Sequence, residues 1–543
     1  MKEEMLMKKI LALMMCVALA AGTLAGCGGG QDENIGGDAA DNTKDEGADA
    51  EAAGDEAAAG EAASDLITDF GGETIVVALY CNDDSVPGKD RVFGKIKEYY
   101  LDTYNINVEF VTSLMSDYTQ SVNMMLSSGE QVDIFSSGVM NFSNTVANES
   151  TYDLNEGNLL NNYGKDIVEL IDPEFLKGCV VNGTLYGIPC MRDLASGMWC
   201  VVVDKEYMDG IDYDYSQINM EEVNPATAED MTELFTQLHE AYPDVNVVYP
   251  WDYGYLGQKL AYDAIGGDVF GVLLDPSNSL EVSNLFTSDM FKEYCQLMYE
   301  WQQAGFMSKD AATETQNGGA QVIAGTLIAD TTAGKPGIVR QKEAERGGRD
   351  SVVFQLGPDF VASSAPVGAA WSINSTTEAP EAAMTVLNDL YTSPVVTNLL
   401  LWGEEGVDYV LTESGHCTFP EGVTEQTVEY YNLVWAWMMP CEYPTYVREG
   451  DDIDLWEKTI DFNNNAMKSK ALGFSFDSSE VSAEYTALTN VWEEYGNSLV
   501  FGLIEPEAGI AELNERLEAA GLQAYIDAKK EALEAWAAAN GVE

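Results

Sequence analysis

From residue 73 onward the chain alternates short apolar runs with amphipathic stretches. Residues 74–80, Thr-Ile-Val-Val-Ala-Leu-Tyr, form a nearly uninterrupted apolar run, as expected of a strand buried on both faces. Val92, Phe93, Ile96 and Tyr100 then fall at helical spacing, and a helix is expected there. Ile106, Val108 and Phe110 alternate as a second strand. A helix carrying Val122, Met125 and Leu126 leads to Val132-Asp133-Ile134-Phe135, a third strand. This order predicts an α/β fold with a parallel sheet flanked by helices. Ligands of such sheets bind beyond the carboxyl ends of the strands, where Tyr80, Cys81, Ser136 and Ser137 fall. The alternation continues, with residues 198–203 as a strand and 227–241 as a helix in which the Thr227 cap is followed by Asp230 at the third helical position. The C-terminal part is helix-rich, with helices expected over 508–520 and 523–538, parted by Gly521.

The first 70 residues break this pattern. Lys8 and Lys9 precede an apolar run over 10–21, then small residues up to Leu24-Ala25-Gly26-Cys27. A membrane span needs about 20 apolar residues, so the segment reads as a secretory signal. Its end resembles the bacterial lipoprotein cleavage motif. That resemblance implies a signal peptide over 1–26, lipidation (diacylation) of Cys27 with chains such as palmitate, and an extracytoplasmic location on the cell membrane. Glu3 and Glu4 add acid to a region that should be basic, which leaves Met1 and Met7 both open as starts. Residues 27–70 are Gly, Ala, Asp and Glu with almost no apolar bulk. Such a segment cannot offset its ordering entropy, and a disordered acidic tether is expected.

Charge removes whole classes of partner. With 91 acidic against 27 basic residues the net charge is −64. Nucleic acid and anionic lipid both require basic surfaces, so no nucleic acid is expected and membrane contact is left to the lipid. Ten Trp and 27 Tyr supply flat apolar faces with polar tips, which suit sugars or peptides. Seven cysteines follow Cys27 (Cys81, Cys179, Cys190, Cys200, Cys295, Cys417 and Cys441) without CxxC or metal-ligand spacing. They read as small buried hydrophobes, with one or two disulfides left open. His239 and His416 are the only histidines, and no Gly-x-Ser-x-Gly elbow occurs. Asp212, Asp214 and Ser216 lack the Gly and Glu that complete a calcium loop. Neither metal, cofactor nor catalysis is expected.

Four local sequences carry a broader resemblance. Asn182-Gly183-Thr184-Leu185-Tyr186-Gly187-Ile188-Pro189, Tyr249-Pro250-Trp251-Asp252-Tyr253, Val367-Gly368-Ala369-Ala370-Trp371-Ser372-Ile373-Asn374 and Leu472-Gly473-Phe474-Ser475-Phe476-Asp477 occur in that order. Together they resemble the extracellular solute-binding proteins of carbohydrate ABC importers, the branch that includes maltodextrin-binding protein, with the C-terminal domain of larger oligosaccharide-binding lipoproteins. The resemblance implies a two-lobed clamp of the periplasmic-binding-protein type with crossing hinge strands. Lobe one is expected over 71–190 and 325–370, lobe two over 191–324 and 371–543. It also implies a monomer that binds an oligosaccharide and delivers it to permease subunits. The expected ligand contacts are Trp251, Tyr253, Trp371, Tyr80 and Trp435 for sugar faces, and Arg192, Asp193, Asp252 and Ser137 for hydroxyls. Arg192–Asp193 also reads as a structural ion pair, and Trp371 equally as a core residue. Two alternatives stay open: a receptor of this fold for peptide or another polar solute, and a secreted glycoside hydrolase, whose two carboxylates cannot be singled out among 91 acids.

Overall fold

A computed structural model describes residues 66–249, 256–314 and 316–542. The signal peptide, Cys27, most of the acidic tether, and Trp251, Asp252 and Tyr253 lie outside the described residues.

The first apolar run forms the strand Glu73–Cys81, buried from Ile75 to Cys81. It pairs in parallel with Ile106–Leu114, Val77 opposite Phe110, and with Ile134–Ser136, Val77 opposite Ile134. The intervening helix Lys89–Tyr104 buries Val92, Ile96 and Tyr100 on one stripe and ends at Asn105 in a left-handed conformation, whose N–H reaches back to the last turn. A fourth strand, Trp371–Ile373, joins antiparallel, Trp371 opposite Ser136. This sheet is the centre of the first lobe, whose core gathers residues from Phe70 to Ala195 and again from Val361 to Ala466.

The second lobe is built on Ser196–Asp204, buried from Gly197 onward. Leu327–Gly334 and Ser351–Gln355 flank it antiparallel, and Asn246–Tyr249 pairs in parallel with Leu327–Gly334. Its main core runs from Trp199 to Phe354 and from Ala471 to Leu533. The helix Ala228–Ala241 opens on the expected capping box, Thr227 Oγ1 accepting from the Asp230 N–H at 3.1 Å and Asp230 accepting from the Thr227 N–H at 2.8 Å. The C-terminal helices are Pro506–Ala519 and Leu522–Asn540.

The lobe boundaries differ from the sequence expectation. The segments expected in lobe one over 325–370 include Leu327–Gly334 and Ser351–Gln355, which pair in the second sheet instead. Conversely Trp371–Ile373 and the helices Pro380–Thr392 and Pro394–Trp402 pack in the first lobe. An apolar run announces a strand but not its partner, and these partners lie from 81 residues upstream, as Asn246 does of Leu327, to 239, as Ile134 does of Ile373.

The chain therefore crosses between lobes three times, near residues 191–195, 361–364 and 466–470. The crossings are stitched side by side. Asp359–Val361 runs antiparallel to Ser196–Gly197 and parallel to Met467–Lys468. The Asp263 carboxylate accepts from the Ser363 N–H and hydroxyl, each at 2.9 Å, and the Gly473 N–H donates to the Ser363 carbonyl at 2.8 Å. Gly473 has φ +92°, and a Cβ there would meet the Gly178 carbonyl at 2.2 Å. Only glycine permits this approach of the third crossing to lobe one.

Candidate functional site

The three crossings place the carboxyl ends of both sheets at one interlobe surface. The first lobe brings Cys81 and Ser136; the second brings Tyr249, Gly334 and Gln355. A segment around Trp435–Tyr443 covers the first-lobe end: the Asn82 N–H donates to the Leu433 carbonyl at 3.3 Å, and the Tyr80 hydroxyl donates to the Met438 carbonyl.

That cover decides the fate of three expected contacts. Tyr80, Ser137 and Trp371 lie at the strand ends as read from the sequence, yet all three are buried with at most 1% of their surface exposed. The Trp371 ring lies 6.1 Å from the Tyr80 ring, and the Trp371 backbone is bonded both ways to Ile188. Ser137 Oγ lies 2.7 Å from Ser372 Oγ and 3.2 Å from the Ala370 carbonyl. These side chains hold the first lobe together and present no face to a ligand. Apolar surroundings suit a core tryptophan as well as a sugar platform, and nothing local in the sequence separates the two.

Two accessible aromatics, Trp435 and Trp437, sit on the covering segment. Trp435 and Trp437 stack with centroids 5.6 Å apart and planes 28° apart, Trp435 half-buried and Trp437 43% exposed. Trp437 is thus the more open member of the pair, where the sequence reading chose Trp435. The Arg192 guanidinium carbon lies 5.3 Å from the Trp437 ring centre.

Arg192 and Asp193 meet their structural reading. They form an ion pair at 3.1 Å, and that pair is the core of a larger cluster. Lys335, on the loop that follows Leu327–Gly334 in lobe two, reaches Asp193 Oδ2 at 2.8 Å. Burial works to raise the Asp193 carboxyl, but Lys335 and Arg192 hold it below the usual range. Glu442, half-buried beside them, goes the other way. Burial first and the Asp193 charge second push it from the glutamate range up to about 7.

Asn463, buried on the helix Leu455–Asn465, fixes the backbone of this cluster. Its Oδ1 accepts from the Leu194 and Ala195 N–H groups, each at 2.9 Å. Its Nδ2 donates to the Arg192 carbonyl at 2.6 Å and to the Tyr443 hydroxyl at 2.9 Å. Lys335, Glu442 and Asn463 were not singled out from sequence, and Trp437 was weighed only as the neighbour of Trp435. A stacked Trp-x-Trp was the one available signal, because the others acquire meaning only once the crossings meet.

Next to Lys335 opens a cavity of about 700 Å³, lined from lobe two by Ile338, Gln355 and Asp359 and from the 450–462 segment by Asp451, Leu455 and Phe462. That volume lies within the range of about 300–1,000 Å³ common for small-molecule sites. Stacked indoles beside paired charges at a junction between two lobes can hold a flat, hydroxyl-rich solute. The seven downstream cysteines are all buried and unpaired, and burial raises the thiols of Cys179 and Cys190, the latter to about 12. They are packing groups.

Comparison with known proteins agrees with this architecture. Residues 470–538 match a family described as a domain of unknown function, DUF3502. The chain is 23% identical over 456 residues, 83% of its length and 88% of the relative's, to a carbohydrate ABC transporter substrate-binding protein of Streptococcus pneumoniae. Among solved structures it resembles the N-glycan transport solute-binding protein NgtS of the same organism, at TM-score 0.70 and 19% identity over 86% of this chain and 99% of that one. The same protein in complex with Man5GlcNAc gives 0.56 and 20%, over 85% and 98%. The fold is that of the solute-binding proteins.

Proposed function

We propose that this chain is the substrate-binding protein of a carbohydrate ABC importer, a receptor and not an enzyme. In this reading it is extracytoplasmic, lipid-anchored through Cys27 and monomeric; it captures an oligosaccharide between its lobes and delivers it to permease subunits. The observation that carries the reading is the Trp435–Trp437 stack beside Arg192, Asp193 and Lys335, where both lobes meet at a cavity of about 700 Å³. Indole faces pack against the C–H faces of pyranose rings, and the paired charges exchange hydrogen bonds with hydroxyls. Trp251, Asp252 and Tyr253 follow Tyr249 closely in the sequence, and in this reading they also contact the sugar. The names of the relatives support an oligosaccharide cargo.

The test is a thermal-shift and calorimetric screen against neutral oligosaccharides. Stabilisation without product is expected, and Trp437→Ala should weaken binding at least about tenfold, about 1.4 kcal/mol, with an unchanged melting temperature. Turnover of any glycan, or no stabilisation by any, overturns the reading. Cys27→Ser should release the protein from the membrane fraction.

A further inference from the structure

We infer that the interlobe site admits uncharged glycans and discriminates against those bearing carboxylate or sulfate groups. This rests on the receptor reading above and names the cargo class of the same site. The cations around the described site are already committed. Lys335 pairs with Asp193 at 2.8 Å, and Arg192 pairs with the same carboxylate at 3.1 Å while lying over Trp437. Lys458 pairs with Asp452 and, at 3.3 Å, with Glu222. Arg340 pairs with Glu343 at 3.2 Å and lies 3.7 Å from Glu221.

The carboxylates are in excess. Asp359 and Asp451 line the cavity, and among the described residues neither has a cation within ion-pair distance. Among the described residues the Asp359 carboxylate accepts from the Gln355 amide alone, at 2.7 Å.

An anionic substituent entering this site must break an existing ion pair or lie uncompensated beside carboxylates, and both cost free energy. A neutral hydroxyl meets neither penalty, since it donates to Asp359 or Asp451 and accepts from Lys335 with every ion pair intact. The net charge of −64 adds a long-range repulsion of anions that salt screens within about 8 Å at physiological strength.

The experiment is calorimetric titration of the full chain with neutral manno-, malto- and cello-oligosaccharides and with mannuronate and galacturonate oligomers of matched length. Neutral oligomers should bind, and uronates should bind at least about tenfold more weakly, with the gap narrowing as salt rises. Asp193→Asn, which releases Lys335 and Arg192, should narrow the gap further; should that variant not fold, the comparison in the wild-type chain decides alone. Uronates binding as tightly as their neutral counterparts overturn the inference while leaving the receptor reading intact. Absence of binding by every glycan overturns both.

Discussion

Replacing Asn463 by alanine tests whether the hinge is held as described. The side chain makes four hydrogen bonds, but they are not equally costly to lose. The Tyr443 hydroxyl also donates to the Arg192 carbonyl at 3.0 Å, so those two groups keep each other when the amide is removed. Among the described residues the Leu194 and Ala195 N–H groups have Asn463 Oδ1 as their sole acceptor, and both residues are buried. Two orphaned buried donors at about 1–3 kcal/mol each, partly relieved by a water in the vacated space, give a loss of about 3 kcal/mol. Urea unfolding followed by tryptophan fluorescence measures it directly. Asn463→Asp retains an acceptor for both N–H groups and should recover part of the loss despite its charge. A loss below about 1 kcal/mol in the alanine variant would refute the account and show that the first crossing is set by strand pairing alone. Affinity for a bound oligosaccharide should fall in the alanine variant too, because Arg192 and Asp193 directly precede the freed backbone.

Two further outcomes follow from buried charge. Glu442 has a folded-state value of about 7, above the range of an unfolded glutamate, so the folded state holds its proton more tightly. Its contribution is present below about pH 4.3 and is lost as pH rises toward 7; Glu442→Gln should remove that loss and stabilise the protein at pH 8 by up to about 3 kcal/mol, read as the difference between the two melting curves. Lys529, fully buried, donates to Asp268 at 2.9 Å and to the Ala264 and Gly271 carbonyls at 3.1 and 3.0 Å. Lys529→Met should cost about 3 kcal/mol, as breaking one half of a buried pair does; an unchanged unfolding midpoint would mean that the last helix is held by its apolar face alone.

The elements of the first sheet were legible because strands covered on both faces carry continuous apolar runs, as Ile75 to Cys81 do, and because the helix after them places Val92, Ile96 and Tyr100 on one stripe. The helix at Ala228 was legible from its cap. What failed was long-range: the sheet to which Leu327–Gly334 belongs, and the side of the fold on which Trp371 ends. Both depend on pairings between segments far apart in the chain, and periodicity records only neighbours. The site failed for the same reason. Arg192–Asp193 was visible as a pair, but Lys335 and Glu442 join it only after the chain has crossed between the lobes.

The threefold crossing also dictates when the molecule can fold. A chain emerging with its N-terminus first releases three strands of the first sheet early, but the fourth, Trp371–Ile373, only after the strands of the second lobe at Leu327–Gly334 and Ser351–Gln355. The second lobe then waits for the helices that supply Leu513, Leu517, Tyr525 and Leu533 to its core. Neither half can close until nearly all of the chain is out, and such late, distant pairings make folding slow. Slow closure keeps the newly made chain extended for longer, a state compatible with threading through a narrow pore before the clamp exists.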